Sequence, residues 1–70
     1  MKFTVKNTFI QGEPKLVFVC SINEAHQIEF FVGEDNIYVK LDGKGSWVSI
    51  FDEVFIKYLD MLRKEDLQET

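Results

Sequence analysis

The chain has 70 residues, of which 46% are hydrophobic and 14% aromatic, and a formal net charge of −4. A chain of this length is one domain near the lower size limit for a self-sufficient core, and its apolar content excludes a disordered polymer. The acidic balance weighs against duplex DNA as the main ligand, because contacts to phosphates dominate that affinity. We therefore expect one domain spanning residues 1–70.

Alternation of polar and apolar residues predicts strands in the first two thirds of the chain. We place them at about 2–10, 15–22, 27–32 and 37–41, with a short fifth strand over 45–48. Turn-forming residues separate these segments, and Asp42-Gly43 is the strongest hairpin signal among them. The short connections favour an antiparallel meander, because parallel crossovers need a dozen or more residues.

The apolar period changes after Val48. Ser49 and Asp52 fit the spacing of a capping box, which predicts a helix from about residue 50 to about residue 67. Apolar residues cover about half of its circumference, more than packing on one sheet requires. The predicted fold class is α+β, an antiparallel β-meander of four to five strands with one C-terminal helix packed on one face.

Residues of types that carry catalysis do not form a recognisable constellation. His26, the single histidine, lies in a polar turn, where we predict a surface side chain and not a general base. The segment from Asp42 to Glu53 has the length of a calcium loop, but Lys44 and Trp47 stand where a ligand and a glycine are required. The sequence therefore predicts no catalytic residue, no metal, no cofactor and no small-molecule substrate, and hence no enzyme.

The lone Cys20 excludes an intramolecular disulfide, and its apolar neighbours at 16–19 predict a buried, unreactive thiol. The alternating N-terminal segment does not look like a signal peptide, and no apolar run is long enough to span a bilayer. We expect a cytoplasmic protein without membrane contact. Because small chains usually need a disulfide, a metal or a partner for stability, a homodimer or a protein partner is the remaining expectation.

Two parts of the sequence carry more apolar residues than one helix–sheet contact uses, and large apolar patches mark contact sites. The helix is one, and the second strand, which is apolar on both sides, is the other. If Leu16, Phe18, Phe30 and Val39 face the helix, the outer sheet face carries further apolar residues. The predicted partner-binding residues are Val17, Val19, Phe31, Tyr38, Trp47 and Ile56. For Trp47 two interpretations stay open, a core plug where the last hairpin meets the helix or a partner-facing side chain.

The leading interpretation is a non-catalytic, self-associating interaction module. Small acidic chains without motifs are common among phage and prophage accessory proteins, so an accessory or regulatory role of that type is expected. The alternative is a protein that binds single-stranded nucleic acid on the outer sheet face, where aromatic rings stack on bases and lysines contact phosphates. Its predicted site is Lys2, Lys6, Lys15, Phe31, Tyr38 and Lys40. In outline, a meander followed by one helix resembles the single-stranded-DNA-binding transcriptional coactivators and their Whirly-type relatives.

Overall fold

A computed structural model describes residues 2–68 as a five-stranded sheet and one helix. The elements are β1 (Lys2–Ile10), β2 (Glu13–Ser21), β3 (Gln27–Val32), β4 (Ile37–Leu41), β5 (Lys44–Ser49) and α1 (Glu53–Gln68). Each strand pairs antiparallel with the next, in the order β1-β2-β3-β4-β5. The predicted α+β meander with a C-terminal helix is confirmed. No helix within residues 2–68 is long and apolar enough to cross a membrane.

Two hairpins close on two-residue turns whose central residues both have positive φ. The φ angles are 53° and 81° at Gln11 and Gly12, and 54° and 68° at Asp42 and Gly43. This conformation is the type I′ turn, whose twist matches that of the strands it joins, and glycine adopts it without strain. The first turn is shorter than predicted, because Pro14 lies within β2. Proline lacks an N–H and cannot donate to a neighbouring strand. It is accommodated at Pro14 because β3 pairs with β2 only over Phe18–Ser21, so no strand pairs with Pro14 on the β3 side.

The helix begins three residues later than predicted, at Glu53. The carboxylate of Asp52 accepts a hydrogen bond from the Val54 N–H at 2.8 Å, which makes Asp52 the N-cap. The Ser49 hydroxyl oxygen accepts from the Phe51 N–H at 3.1 Å, within the turn that joins β5 to the helix. The prediction of a capping box starting at Ser49 is therefore wrong, because two cap-forming residues compete and the later one caps the helix.

The strand register divides the sheet into two faces, because directly paired residues point to the same side. One row runs across all five strands through Val5, Phe18, Phe30, Val39 and Val48. We call this side the helix face, because α1 contacts β4 and β5 and the Val39 side chain is 2% exposed. The predicted placement of Leu16, Phe18, Phe30 and Val39 on one face is confirmed by this register.

The other side of the sheet, which we call the lysine face, is closed by its own side chains. Val17 is fully buried, and the Phe31 ring stacks on Tyr38 at 5.4 Å between centroids and meets Trp47 edge-on at 4.8 Å. The buried carboxylate of Glu29 pairs with the Lys6 ammonium at 2.6 Å. Long lysine stems and aromatic rings cover apolar surface here while their polar ends reach solvent.

The cap assignment predicts the effect of one substitution. Asp52→Ala removes the acceptor for the Val54 N–H, so the free energy of unfolding falls by about 1 kcal/mol in urea denaturation followed by circular dichroism. The control is Asp35→Ala, which makes the same charge change at an exposed carboxylate between β3 and β4. Equal losses in the two variants would contradict the capping role.

Candidate interaction surface

Part of the helix face is left without a cover. Five apolar side chains there remain at least half exposed: Phe3 (65%), Val5 (54%), Phe9 (74%), Leu16 (50%) and Val32 (64%). They belong to β1, β2 and β3, on the side of the sheet away from the strands that α1 contacts. We call these five residues the open surface.

The open surface follows from the relative widths of the two layers. A helix with its side chains is about 10–12 Å across, whereas neighbouring strands lie about 4.8 Å apart. One helix therefore covers two or three strands of a five-stranded sheet. Because α1 follows β5 directly, it packs on the β4–β5 side, where Val39 and Tyr58 are buried.

The helix also exposes apolar side chains on both of its flanks. Tyr58, which is 8% exposed, marks the side that packs on the sheet. At 100° per residue, Val54 and Met61 lie about 40–60° to one side of Tyr58, Leu59 lies about 100° to the other side, and Ile56 lies nearly opposite Tyr58, all of them exposed. The helix thus uses only part of its predicted apolar surface in contact with its own sheet.

The predicted partner-binding residues fall into three groups. Val17 and Phe31 are buried, Val19, Tyr38 and Trp47 are half-buried, and Ile56 is 55% exposed. The exposure expected of Val17 and Phe31 on the outer face is wrong, because neighbouring side chains on the lysine face pack over them. The partner-binding roles themselves stay predictions.

Trp47 does not fill the junction between the last hairpin and the helix. It lies on the lysine face, edge-on to Phe31, with the Lys40 ammonium 5.1 Å from its ring centroid. The core-plug interpretation placed Trp47 where the last hairpin meets the helix, whereas the residue is half-buried on the lysine face. Its role toward a partner stays a prediction.

A groove of about 320 Å³ opens on the lysine face beside these rings. Lys15, Phe31, Tyr38 and Trp47 line it together with Glu13 and Glu34. The Lys15 ammonium lies 5.9 Å from the Phe31 ring centroid and 3.4 Å from the Glu13 carboxylate. The groove therefore combines an aromatic wall with charges of both signs.

The structure brings together only some of the predicted nucleic-acid-binding residues. Lys15, Phe31 and Tyr38 line the groove, whereas Lys2, Lys6 and Lys40 lie elsewhere on the same face. Phe31 is 7% exposed, so the face of its ring is not open for a base to stack on. Lys6 is committed to Glu29, as described above.

A polar cluster that the sequence did not predict joins three elements at the far end of the sheet. The Nδ1 atom of His26 lies 3.3 Å from both carboxylate oxygens of Asp42, and its Nε2 atom lies 2.9 Å from the Glu65 carboxylate. The Tyr58 hydroxyl donates to Asp42 at 2.6 Å. We call these four residues the His26 cluster. It ties the β2–β3 loop and the β4–β5 turn to α1.

The loop geometry places His26 in this cluster. The side chain of Asn23 accepts hydrogen bonds from the Ala25 and His26 N–H groups at 2.8 and 2.9 Å, which folds the loop back on itself. The His26 side chain is consequently 14% exposed. The predicted surface histidine is thus only partly exposed, because Asp42 and Glu65 are brought over it from 16 and 39 residues away.

The ionisation of the cluster reflects its contacts. Burial alone would lower the pKa of His26, but the hydrogen bonds to Asp42 and Glu65 and their negative charges outweigh it, so this pKa lies above its ordinary value. Burial would raise the pKa of Asp42, but hydrogen bonds from Tyr58, the Gln27 N–H and His26 hold it below its usual range. Burial and the Asp42 carboxylate both raise the pKa of Tyr58. An imidazolium facing ionised carboxylates is the form that these contacts favour.

Among the side chains that the structure describes, those of residues 2–65, His, Cys, Asp and Glu form no group of three or more that could hold a metal ion. Cys20 is half-buried on the helix face and not fully buried as predicted.

No family model, no curated protein and no solved structure matches this chain.

The burial of Phe31 and the exposure of Phe51 predict unequal effects of the same substitution. Phe31→Leu opens space in the packed lysine face and lowers the free energy of unfolding by about 1–2 kcal/mol, whereas Phe51→Leu, in the turn before α1, changes it by less than about 0.5 kcal/mol. Urea denaturation at one fixed protein concentration measures both. Similar losses would mean that Phe51 is packed or that Phe31 is not.

Proposed function

We propose that this chain is a non-catalytic, self-associating interaction module that forms a homodimer by burying the open surface of each subunit against the other. The observation that carries the proposal is the exposure of five large apolar side chains on one part of the helix face. Exposed apolar patches of this kind are typical of contact sites in soluble proteins.

The size of the open surface fits a dimer. From their exposed fractions, its five side chains present on the order of 500 Å². Two copies contribute about 1,000 Å² in total, which is the lower bound for a specific interface, and the exposed helix flanks can add to it. A second copy therefore supplies the area that a stable contact needs.

The chemistry of the open surface also fits a second copy. Its residues are all uncharged, so their burial removes no ion from water, and two negatively charged chains meet through neutral patches. Two sheets pack face to face at about 10 Å, close to the thickness of a helix layer. Two open surfaces can therefore meet while each α1 stays beside the contact on its own sheet.

The other predictions have less support. The single-stranded nucleic-acid alternative stays a prediction, and the burial of Phe31 and the pairing of Lys6 with Glu29 weaken it. A phage or prophage accessory role stays a prediction from size and composition. A contact with a different protein is an outcome that the following experiment can reveal.

Size-exclusion chromatography with light scattering tests the proposal. At micromolar concentration we expect twice the mass of one chain for the wild type. Leu16→Ser combined with Val32→Ser replaces two half-exposed apolar side chains of the open surface, and we expect this variant to elute as a monomer with unchanged circular dichroism.

The matched control is Phe51→Ser, which makes the same kind of change at a side chain that is 77% exposed and lies in the turn before α1, outside the open surface. It should remain dimeric. A wild type that stays monomeric would overturn self-association and point to a different protein as the partner. A dimer that tolerates the double substitution would overturn the open surface as its interface.

A further inference from the structure

The His26 cluster has a proton requirement that follows from its geometry. Two carboxylates lie on opposite sides of one imidazole ring, Asp42 at Nδ1 and Glu65 at Nε2. A carboxylate is an acceptor only, and a neutral imidazole has a single N–H donor. His26 can therefore donate to Asp42 and Glu65 together only when it carries both protons.

The two carboxylates are not held equally. Asp42 also accepts from the Tyr58 hydroxyl at 2.6 Å and from the Gln27 N–H at 3.1 Å, so donors from α1 and β3 hold it in place as well. Glu65 is 46% exposed at its side chain and reaches the cluster from the C-terminal part of α1. When His26 loses a proton, one of its nitrogens can no longer donate to a carboxylate, and Glu65 is the partner that can turn away into solvent, because Asp42 is held by other donors.

We propose that His26 is a proton-operated clasp that fastens the C-terminal part of α1 to the sheet by bridging Asp42 and Glu65 when protonated and releases Glu65 when neutral. The Tyr58–Asp42 hydrogen bond does not depend on the imidazole proton and keeps the helix anchored at its middle. Release therefore concerns the part of α1 that follows Tyr58. This inference goes beyond the proposed homodimer and does not depend on it.

The surroundings of His26 determine the direction of the switch. Among the described side chains, the titratable groups in contact with its ring are Asp42 from the β4–β5 turn and Tyr58 and Glu65 from α1, and Glu24 from its own loop lines the groove beside it. All four are acids, and three of them are carboxylates. This setting favours the imidazolium, in agreement with a His26 pKa above the ordinary value of 6.5.

The sign of the pH dependence follows. A group whose pKa is higher in the folded chain contributes its full stabilisation below the unfolded value, here about 6.5. That contribution is lost as the pH rises through the raised pKa of the folded chain. The clasp is thus closed in mildly acidic solution and opens as the solution becomes alkaline.

Amide hydrogen exchange followed by NMR, corrected for the intrinsic effect of pH, tests the clasp between about pH 5.5 and pH 9. Protection of the amides that follow Tyr58 in α1 should fall as the pH rises, by up to about tenfold for each unit by which the wild-type His26 pKa exceeds its value in a chain without the Glu65 carboxylate. Protection in β2 and β3 should not change, because the opening is local. The His26 ring signals give its pKa in the same samples.

Two variants and one control separate the clasp from a general charge effect. Glu65→Gln should bring the His26 pKa toward 6.5 and reduce the pH dependence of helix protection, and His26→Gln should abolish that dependence. Glu53→Gln makes the same neutralisation in the first turn of α1, where Glu53 pairs with Lys57, and should leave both readouts as in the wild type.

Three results would overturn the clasp. They are a His26 pKa of about 6.5 in the wild type, protection after Tyr58 that does not vary with pH or varies alike in Glu65→Gln, and a loss of protection spread evenly over the sheet. All of these readouts concern contacts within one subunit. They therefore separate the clasp from the proposed homodimer, which light scattering tests independently.

Discussion

The width of one helix relative to a five-stranded sheet is the constraint on which this structure depends. An α-helix layer of about 10–12 Å protects two or three strands spaced about 4.8 Å apart, and the chain supplies one such helix. The β4–β5 side of the helix face consequently forms a conventional core around Val39 and Tyr58, while β1 and the adjoining strands keep their apolar residues in water. The folding of one chain therefore leaves apolar surface exposed to water, and a second molecule can cover that surface.

The lysine face also shields its apolar residues from water, but it does so without a helix or any other covering element. Phe31 is enclosed by the rings of Tyr38 and Trp47, and the buried Glu29 carboxylate is compensated by Lys6 at 2.6 Å. A buried carboxylate without a partner would be strongly destabilising, so the ion pair makes this tight packing possible. The two faces of one sheet thus differ in kind, one sealed by its own side chains and the other completed in part by a helix.

Which features of the fold and the site could be predicted depends on how far apart along the sequence the residues lie that determine them. Strand positions and the division of residues between the faces follow from the alternation of neighbours, and the Asp42-Gly43 turn is equally local. The helix start was misplaced because Ser49 and Asp52 both have cap chemistry, and tertiary geometry decides between them. The exposure of Phe9 and the burial of Phe31 depend on where the helix lies, and Glu65 reaches His26 across 39 residues. No local pattern carries that information.

The strand β1 has a consequence of its own, because it forms a margin of the sheet and pairs on one side only, with β2. Nine residues of regular, unbulged strand, with Phe3, Val5 and Phe9 on one side, are a template on which another extended chain can add. Lys2 and Lys6 stand along this margin, and lysines on an edge strand disfavour its pairing with another chain. The two lysines thus make this margin less open to edge-to-edge aggregation than its apolar residues alone would make it.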